Sequence, residues 1–350
     1  MTGSLTPQER FQRTLAHRQP DRPPIQAWVT PEIQVRLEDH FQRRFGRRNV
    51  QEILEVDFRF VGPRAKEEDA ASAPAAQTVL PDGIYQNVAE KPLAWIRTLD
   101  DVRRYRPDCD PDRFVFSNVA EACRSAAPFV RILGSPGLFD IVNGLGARGR
   151  GYENLVCDIL LQDPLTVALI DRHLEYTYEF LRRGLEAGQG QIEILHIGED
   201  CGNQRGPLFP PAFFRTFFAP RLKRFVDLAH HYGAACMLHS CGSMRKLLPI
   251  LIEEVGLDIQ DACQPEAEGM DPEGLKRDFG NRITFCGMLS LQQTLTHGTP
   301  EDCRREALHR IQVIGRDGGY IFGPANTITK DTPLENVLAA YEAATGKRLR

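Results

Sequence analysis

From Gln191 to the end, short apolar runs alternate with longer amphipathic ones, and no other feature limits the fold as much. Ile192 to Asp200, Ala234 to Cys241, Leu257 to Asp261, Ile283 to Gly287 and Gly319 to Gly323 read as strands. Pro210 to Tyr232, Met244 to Glu254, Asp271 to Phe279, Pro300 to Gly315 and Pro333 to Ala344 carry helical spacing. Strands and helices alternating at this length imply parallel strands joined by crossovers. Three earlier apolar runs, starting at Ile25, Val56 and Phe129, bring the strand count to eight. The expected fold is therefore α/β, a closed (β/α)8 TIM-type barrel forming one domain over residues 1–350. A doubly wound open sheet is the alternative.

The first half supplies the remaining pieces. Pro7 to Arg18 has helical spacing with Thr6 as a candidate N-cap, and Gln19-Pro20-Asp21-Arg22-Pro23-Pro24 is a rigid turn. Pro31 to Phe45 is a helix that stops at Gly46, and Asp163-Pro164 to Ala187 is a long amphipathic helix. Between Ala65 and Pro107 the pattern is weak. Ala70 to Ala76 reads as a bland loop, Pro81-Asp82-Gly83 as a turn, and Ile84 to Val88 as an excursion strand outside the main sheet.

Apolar residues make up 42% of the chain, enough for a large core. A net charge of −4 gives no general attraction to nucleic acid or to an acidic membrane surface. No run approaches the roughly 18 apolar residues of a membrane span. The opening Met1-Thr2-Gly3-Ser4 has no apolar signal core, and nine cysteines without a C-x-x-C pair suit reduced thiols. The expectation is a cytoplasmic chain with a small-molecule substrate and with neither nucleic acid nor membrane as partner.

In such a barrel the chemistry sits at the carboxyl ends of the strands. Those ends hold the unusual residues: Glu199-Asp200-Cys201-Gly202, His239 and Cys241, Gln260, Asp261 and Gln264, Gly287-Met288, and Gly323-Pro324-Ala325-Asn326. The opposite ends are bland. His239 and Cys241 lie two apart at the end of an extended run, so both side chains leave the same face. Imidazole and thiolate are the commonest zinc ligands, and the pair reads as a half-built metal site; a buried histidine and a free cysteine that merely pack would look the same. Strand parity puts Ile192, Ile194, His196, Gly198 and Asp200 on one face, small and polar only toward its end. That makes Asp200 the preferred inward carboxylate and third ligand, although it would equally suit a loop cap. Cys201 and Cys286 are rival ligands. Cys236 has the opposite parity to His239, and His196 reads as a core histidine.

Other groups carry weaker signals. Arg205 and Arg215 flank the exit of the strand ending at Asp200, where they could hold a substrate carboxylate or simply be solvated. Glu199, Arg205, Gln264 and Asn326 are expected to line the substrate. His230-His231 closes a helix, where an imidazole suits the dipole. Gly144, Gly146, Gly149 and Gly151 follow no strand directly and make a poor phosphate loop.

Taken together and in order, several phrases resemble the uroporphyrinogen decarboxylase superfamily. They are Gln19-Pro20-Asp21-Arg22-Pro23-Pro24, Glu199-Asp200-Cys201-Gly202 with Gln204-Arg205-Gly206-Pro207-Leu208, and Leu238-His239-Ser240-Cys241-Gly242. Ile283-Thr284-Phe285-Cys286-Gly287, Gly318-Gly319-Tyr320-Ile321 and Thr332-Pro333-Leu334-Glu335-Asn336-Val337 complete the series. The resemblance implies an α/β barrel, in agreement with the strand count, and a homodimer. Decarboxylases of the family use no metal and hold tetrapyrrole carboxylates with arginines after the first strand. Here that loop reads Val29-Thr30-Pro31-Glu32-Ile33-Gln34, without the arginine pair, and their late histidine is replaced by Asn326. The other branch resembles cobalamin-dependent methyltransferases, which use a His-x-Cys zinc pair and a late cysteine. His239 and Cys241 match the pair, while the late cysteine falls at Asn326. The resemblance implies a zinc-dependent methyltransferase working with a corrinoid on a partner protein, with a metal-independent decarboxylase as the alternative. Asp200, His239 and Cys241 are the expected catalytic and metal-binding residues.

Overall fold

The structure, a computed structural model, describes residues 4–66, 93–135, 138, 145 and 151–349. Seven parallel strands pair in chain order: β1 (Phe58–Phe60), β2 (Val130–Ser135), β3 (Ile194–Gly198), β4 (Ala235–His239), β5 (Ile259–Cys263), β6 (Thr284–Leu289) and β7 (Tyr320–Pro324). An eighth stave, residues 25–29, closes the ring. Its Gln26 N–H donates to Phe322 O at 2.9 Å, and its Ile25 O accepts from Asp57 N at 2.9 Å. Ile25 and Val29 form parallel bridges to Phe322 and Ile328. The sheet therefore has no open edge, which settles the choice between a barrel and a doubly wound sheet.

The strands close in this way because both of their faces are covered. β5, β6 and β7 are buried at every residue, as expected when helices pack outside a parallel barrel and side chains fill it. The outer helices start where the sequence provides caps. Thr6 forms a capping box with Glu9, Asp163 accepts from Thr166 N, Asp271 accepts from Gly274 N, and Thr299 forms a capping box with Asp302. The helices run Pro7–Leu15, Pro31–Phe45, Pro164–Ala187, Pro211–His231, Pro272–Phe279, Pro300–Val313 and Leu334–Thr345. None of the described helices is long and apolar enough to cross a membrane.

One expectation needs correction. Met244 to Glu254 is not one α-helix: a single turn at Leu248–Ile250 runs into π-type turns over Leu251–Val255. Pro249 has no N–H to donate to the preceding turn, so a regular helix cannot start earlier. Outside the barrel, Arg64–Ala65 pairs antiparallel with Phe114–Val115. Ala70 to Ala76, Pro81-Asp82-Gly83, Ile84 to Val88, and Gly144, Gly146 and Gly149 lie outside the described residues.

Below the barrel, an ionic network ties the amino-terminal turn to β1. The Asp57 carboxylate, 1% exposed, accepts from Arg10 Nη1 (2.6 Å), Arg22 Nη1 (2.7 Å) and Ile25 N (2.7 Å). Asp21 accepts from Arg10 Nε at 2.7 Å. Gln19-Pro20-Asp21-Arg22-Pro23-Pro24 is thus the floor of the barrel and lies at the end opposite the candidate chemistry.

Above the barrel, the loop after β3 packs on the loop after β4. Ser243 N donates to Asn203 O at 2.8 Å, and Cys201 N donates to Ser240 Oγ at 2.9 Å. Gly242 sits at the contact with φ +82°, and a Cβ there would come within 2.7 Å of the Asn203 backbone. Only glycine suits both the angle and the approach.

Two predictions follow from these loops and ties. Burial alone would raise the Asp21 pKa, but the hydrogen bond and charge of Arg10 outweigh it and lower the value from 3.8 to about 2. A lowered carboxylate stabilises the fold above its ordinary pKa, and that contribution fades as pH falls from about 4 toward 2. The gap in melting temperature between the wild type and Asp21→Asn should therefore be constant above pH 5 and close between pH 4 and 2. Gly242→Ala should lose about 2 kcal/mol or more of unfolding free energy in denaturant titrations.

Candidate functional site

The register of three parallel strands builds the site. His239 pairs with Gly198 of β3 on one side and Asp261 of β5 on the other. Residues directly in register project to the same face of a sheet. The Asp261 carboxylate therefore stands beside the His239 ring, with Oδ2 2.7 Å from Nδ1. Gly198 brings no side chain on the other side. His196, two residues earlier on β3, shares that face, and its Nε2 lies 3.8 Å from the same Asp261 oxygen. Trp28 of the closing stave packs on both imidazoles, with ring centroids 5.4 Å from His196 and 6.2 Å from His239.

With Nδ1 engaged by Asp261, the other ring nitrogen of His239 faces Cys241. Nε2 lies 3.6 Å from Sγ. The Asp200 carboxylate is held beside them because Oδ1 accepts from the Cys241 backbone N–H at 2.9 Å. Donor atoms of Asp200, His239 and Cys241 all fall within 4.8 Å of one another, as do those of His196, His239 and Asp261. The parity that puts Asp200 on the inward face thus leads to the position where it meets His239 and Cys241. Asn326, after β7, donates from Nδ2 to Cys241 Sγ at 3.0 Å. Gln264 Oε1 accepts from Gly242 N at 3.2 Å. Gln264 and Asn326 also line a cavity of about 350 Å³ together with Thr30, Glu266, Gln292 and Thr327.

Electrostatics bind these groups into one unit. Burial alone would push the Asp261 carboxyl up, but the neighbouring His196 ring and the hydrogen bond with His239 outweigh it and hold it well below the usual range. Burial works against charge on His239, yet its bonds to Asp261 and Cys241 prevail and raise its pKa well above the ordinary value. Burial raises the Cys241 thiol, and His239 opposes that shift.

The arrangement fits a zinc ion. Zinc bound to sulfur at about 2.3 Å and to imidazole at about 2.05 Å with tetrahedral angles sets those two atoms roughly 3.6 Å apart. That matches the observed 3.6 Å between Nε2 and Sγ. A carboxylate on the other imidazole nitrogen is the usual outer partner of a metal-binding histidine. Asp200 offers the third donor.

The remaining expected residues fall elsewhere. Arg205 is exposed on a turn where its N–H donates to Asn203 Oδ1 at 2.8 Å. Arg215 pairs with Glu254 on the outer surface at 2.8 Å, so the solvated-charge reading holds for it. Glu199 is buried and belongs to neither donor cluster among the described residues. Cys201 and Cys286 are fully buried, their thiols driven well up, and neither joins a donor cluster. His230 bonds Asp258 Oδ2 at 2.8 Å on the surface. Sequence reasoning missed the role of Asp261, the approach of His196 to it, and Trp28. Only Asp261 had a visible signal, an acidic residue at a strand end.

Comparison with known proteins gives the site its context. A methyltransferase from Methanosarcina mazei shares the fold, with a TM-score of 0.65 at 18% identity over 98% of this chain and 99% of that one. A uroporphyrinogen decarboxylase from Pseudoalteromonas translucida (strain TAC 125) is 22% identical over 273 residues, 73% of this chain and 71% of that protein. The uroporphyrinogen decarboxylase (URO-D) family model matches residues 6–346. By that match, which spans nearly the whole barrel, the chain belongs to the uroporphyrinogen decarboxylase family.

Proposed function

We propose that this protein is a zinc-dependent methyltransferase that moves a methyl group between a small molecule and a corrinoid carried by a partner protein. The observation that carries the proposal is the convergence of His239 Nε2, Cys241 Sγ and Asp200, with Asp261 bonded to the far nitrogen of His239. Those three side chains would hold the ion. Zinc bound there supplies Lewis-acid chemistry, polarising a methoxy-type oxygen or ionising a thiol.

The chain's own groups have separable tasks. Asp261 keeps the proton on Nδ1 and leaves Nε2 free to bind. Asp200 is fixed by the Cys241 amide and adds a second negative donor. The cavity beside Asn326 and Gln264 has a volume suited to a small molecule.

Carboxy-lyase chemistry is the reading that the 22% identical decarboxylase favours. The cavity argues against it: no arginine or lysine is among its described lining residues, whereas a polycarboxylate needs cationic partners. Carbon dioxide release from a carboxylated substrate by metal-free protein would reverse that preference.

Elemental analysis of the purified protein should find about one zinc per chain, and Cys241→Ser and His239→Ala should lose it. Zinc-free wild-type protein, or equal zinc in Cys241→Ser, would remove the proposal. Asp261→Asn should keep the fold by circular dichroism and weaken zinc binding about 10- to 100-fold in a competitive chelator titration.

A further inference from the structure

The contact between Asn326 and Cys241 has a fixed sense. Asn326 Oδ1 accepts from the Thr327 backbone N–H at 2.6 Å, so the nitrogen end of the amide must face the sulfur, where it lies 3.0 Å from Sγ. An amide nitrogen only donates; the sulfur is therefore the acceptor. His239 Nε2 is the other group facing that sulfur, at 3.6 Å.

A thiolate passes electron density to an ion that it binds, and a hydrogen bond received by the thiolate withdraws part of it. The donor set here is one such sulfur, one imidazole nitrogen and one carboxylate oxygen from Asp200. An ion held in this way is more electrophilic than one held by several free thiolates, and it favours a further oxygen ligand over another sulfur. The adjoining cavity has matching chemistry, with hydroxyls and amides from Thr30, Gln264, Gln292 and Thr327.

We infer that Asn326, through its hydrogen bond to Cys241, sets the centre to take an oxygen-bearing ligand, such as an ether, an alcohol or a carbonyl, in preference to a thiol. The inference rests on the metal centre proposed at His239, Cys241 and Asp200, and it narrows what that centre binds. Asn326 acts through the sulfur and is a positioning residue.

Cobalt(II) in place of zinc gives a direct readout, since the sulfur-to-cobalt charge-transfer band follows the electron density on Cys241. Full-length wild type, Asn326→Leu (close in volume, no donor) and Asn326→Ala are each titrated with acetohydroxamate, an oxygen ligand, and with 2-mercaptoethanol, a thiol. Loss of the donor should move the band to longer wavelength in both variants. It should also lower the ratio of acetohydroxamate to 2-mercaptoethanol affinity by about tenfold or more. With cobalt bound, an unmoved band and an unchanged ratio overturn the inference and leave the metal centre standing. A wild type that binds no cobalt removes the metal centre and the inference with it. If neither variant folds, the wild type alone decides: tighter binding of acetohydroxamate supports the inference, and tighter binding of 2-mercaptoethanol overturns it.

Discussion

The site depends on one pairing in the barrel wall, His239 against Asp261 across the β4–β5 ladder. Because parallel partners in register project together, a buried carboxylate and an imidazole are forced into contact before any loop is placed. That contact fixes which ring nitrogen carries the proton. It also aims the other nitrogen past the end of the strand, toward the position that Cys241 occupies. A one-residue slip in this ladder would send Asp261 to the other face of the wall and dismantle the whole group. A carboxylate as buried as Asp261 is costly unless paired, and His196 and His239 share the work of pairing it.

The two ends of the barrel divide stability from chemistry. At the floor, Asp57 gathers Arg10, Arg22 and the Ile25 amide and anchors the closing stave. At the top, the loops after β3, β4, β5 and β7 bring Asp200, Cys241, Gln264 and Asn326 into one neighbourhood. Gly242 couples these loops, because its missing Cβ lets the β3 loop lie directly on the β4 loop and brings Asp200 to the Cys241 amide. The Gln19 to Pro24 turn therefore reports how the barrel is closed. The phrases around Asp200 and His239 report what lies at its mouth.

Much of this is legible in the sequence. Alternating periodicity fixed the strand count, and a two-residue spacing put His239 and Cys241 on one face. Parity alone selected Asp200, which now stands within reach of both. Asp261 was visible as a strand-end acid but had no role, because the pairing register between two strands does not follow from either strand's sequence. His196 looked like a satisfied core histidine for the same reason: its partner lies two strands away. Trp28 gave no signal, since stave closure brings it across the barrel from a distant part of the chain. Arg205 carried a plausible charge in a plausible loop, yet the turn that Asn203 caps leaves it exposed. Sequence proximity to a strand end decides which loop a residue belongs to, and hydrogen bonding within the loop decides where its side chain points.

The sign of the charge around the site then bears on what can bind. Asp200, Asp261 and Glu266 all stand at the carboxyl end of the barrel, and the imidazoles of His196 and His239 share the donor clusters of the first two. Each imidazole is already spoken for: His239 lies between Asp261 and Cys241, and His196 faces Asp261. A substrate with several carboxylates would meet no guanidinium among the described residues that line the cavity beside Asn326, and in a partly buried cavity the repulsion would be poorly screened. A divalent cation held as proposed would change the balance, since two negative donors and one neutral imidazole would leave its charge formally matched. An uncharged molecule could then approach the ion without bringing an unpaired charge out of water. The carboxylates that disfavour an anionic substrate would thus suit the proposed cation, to which Asp200 alone among them would be a direct donor.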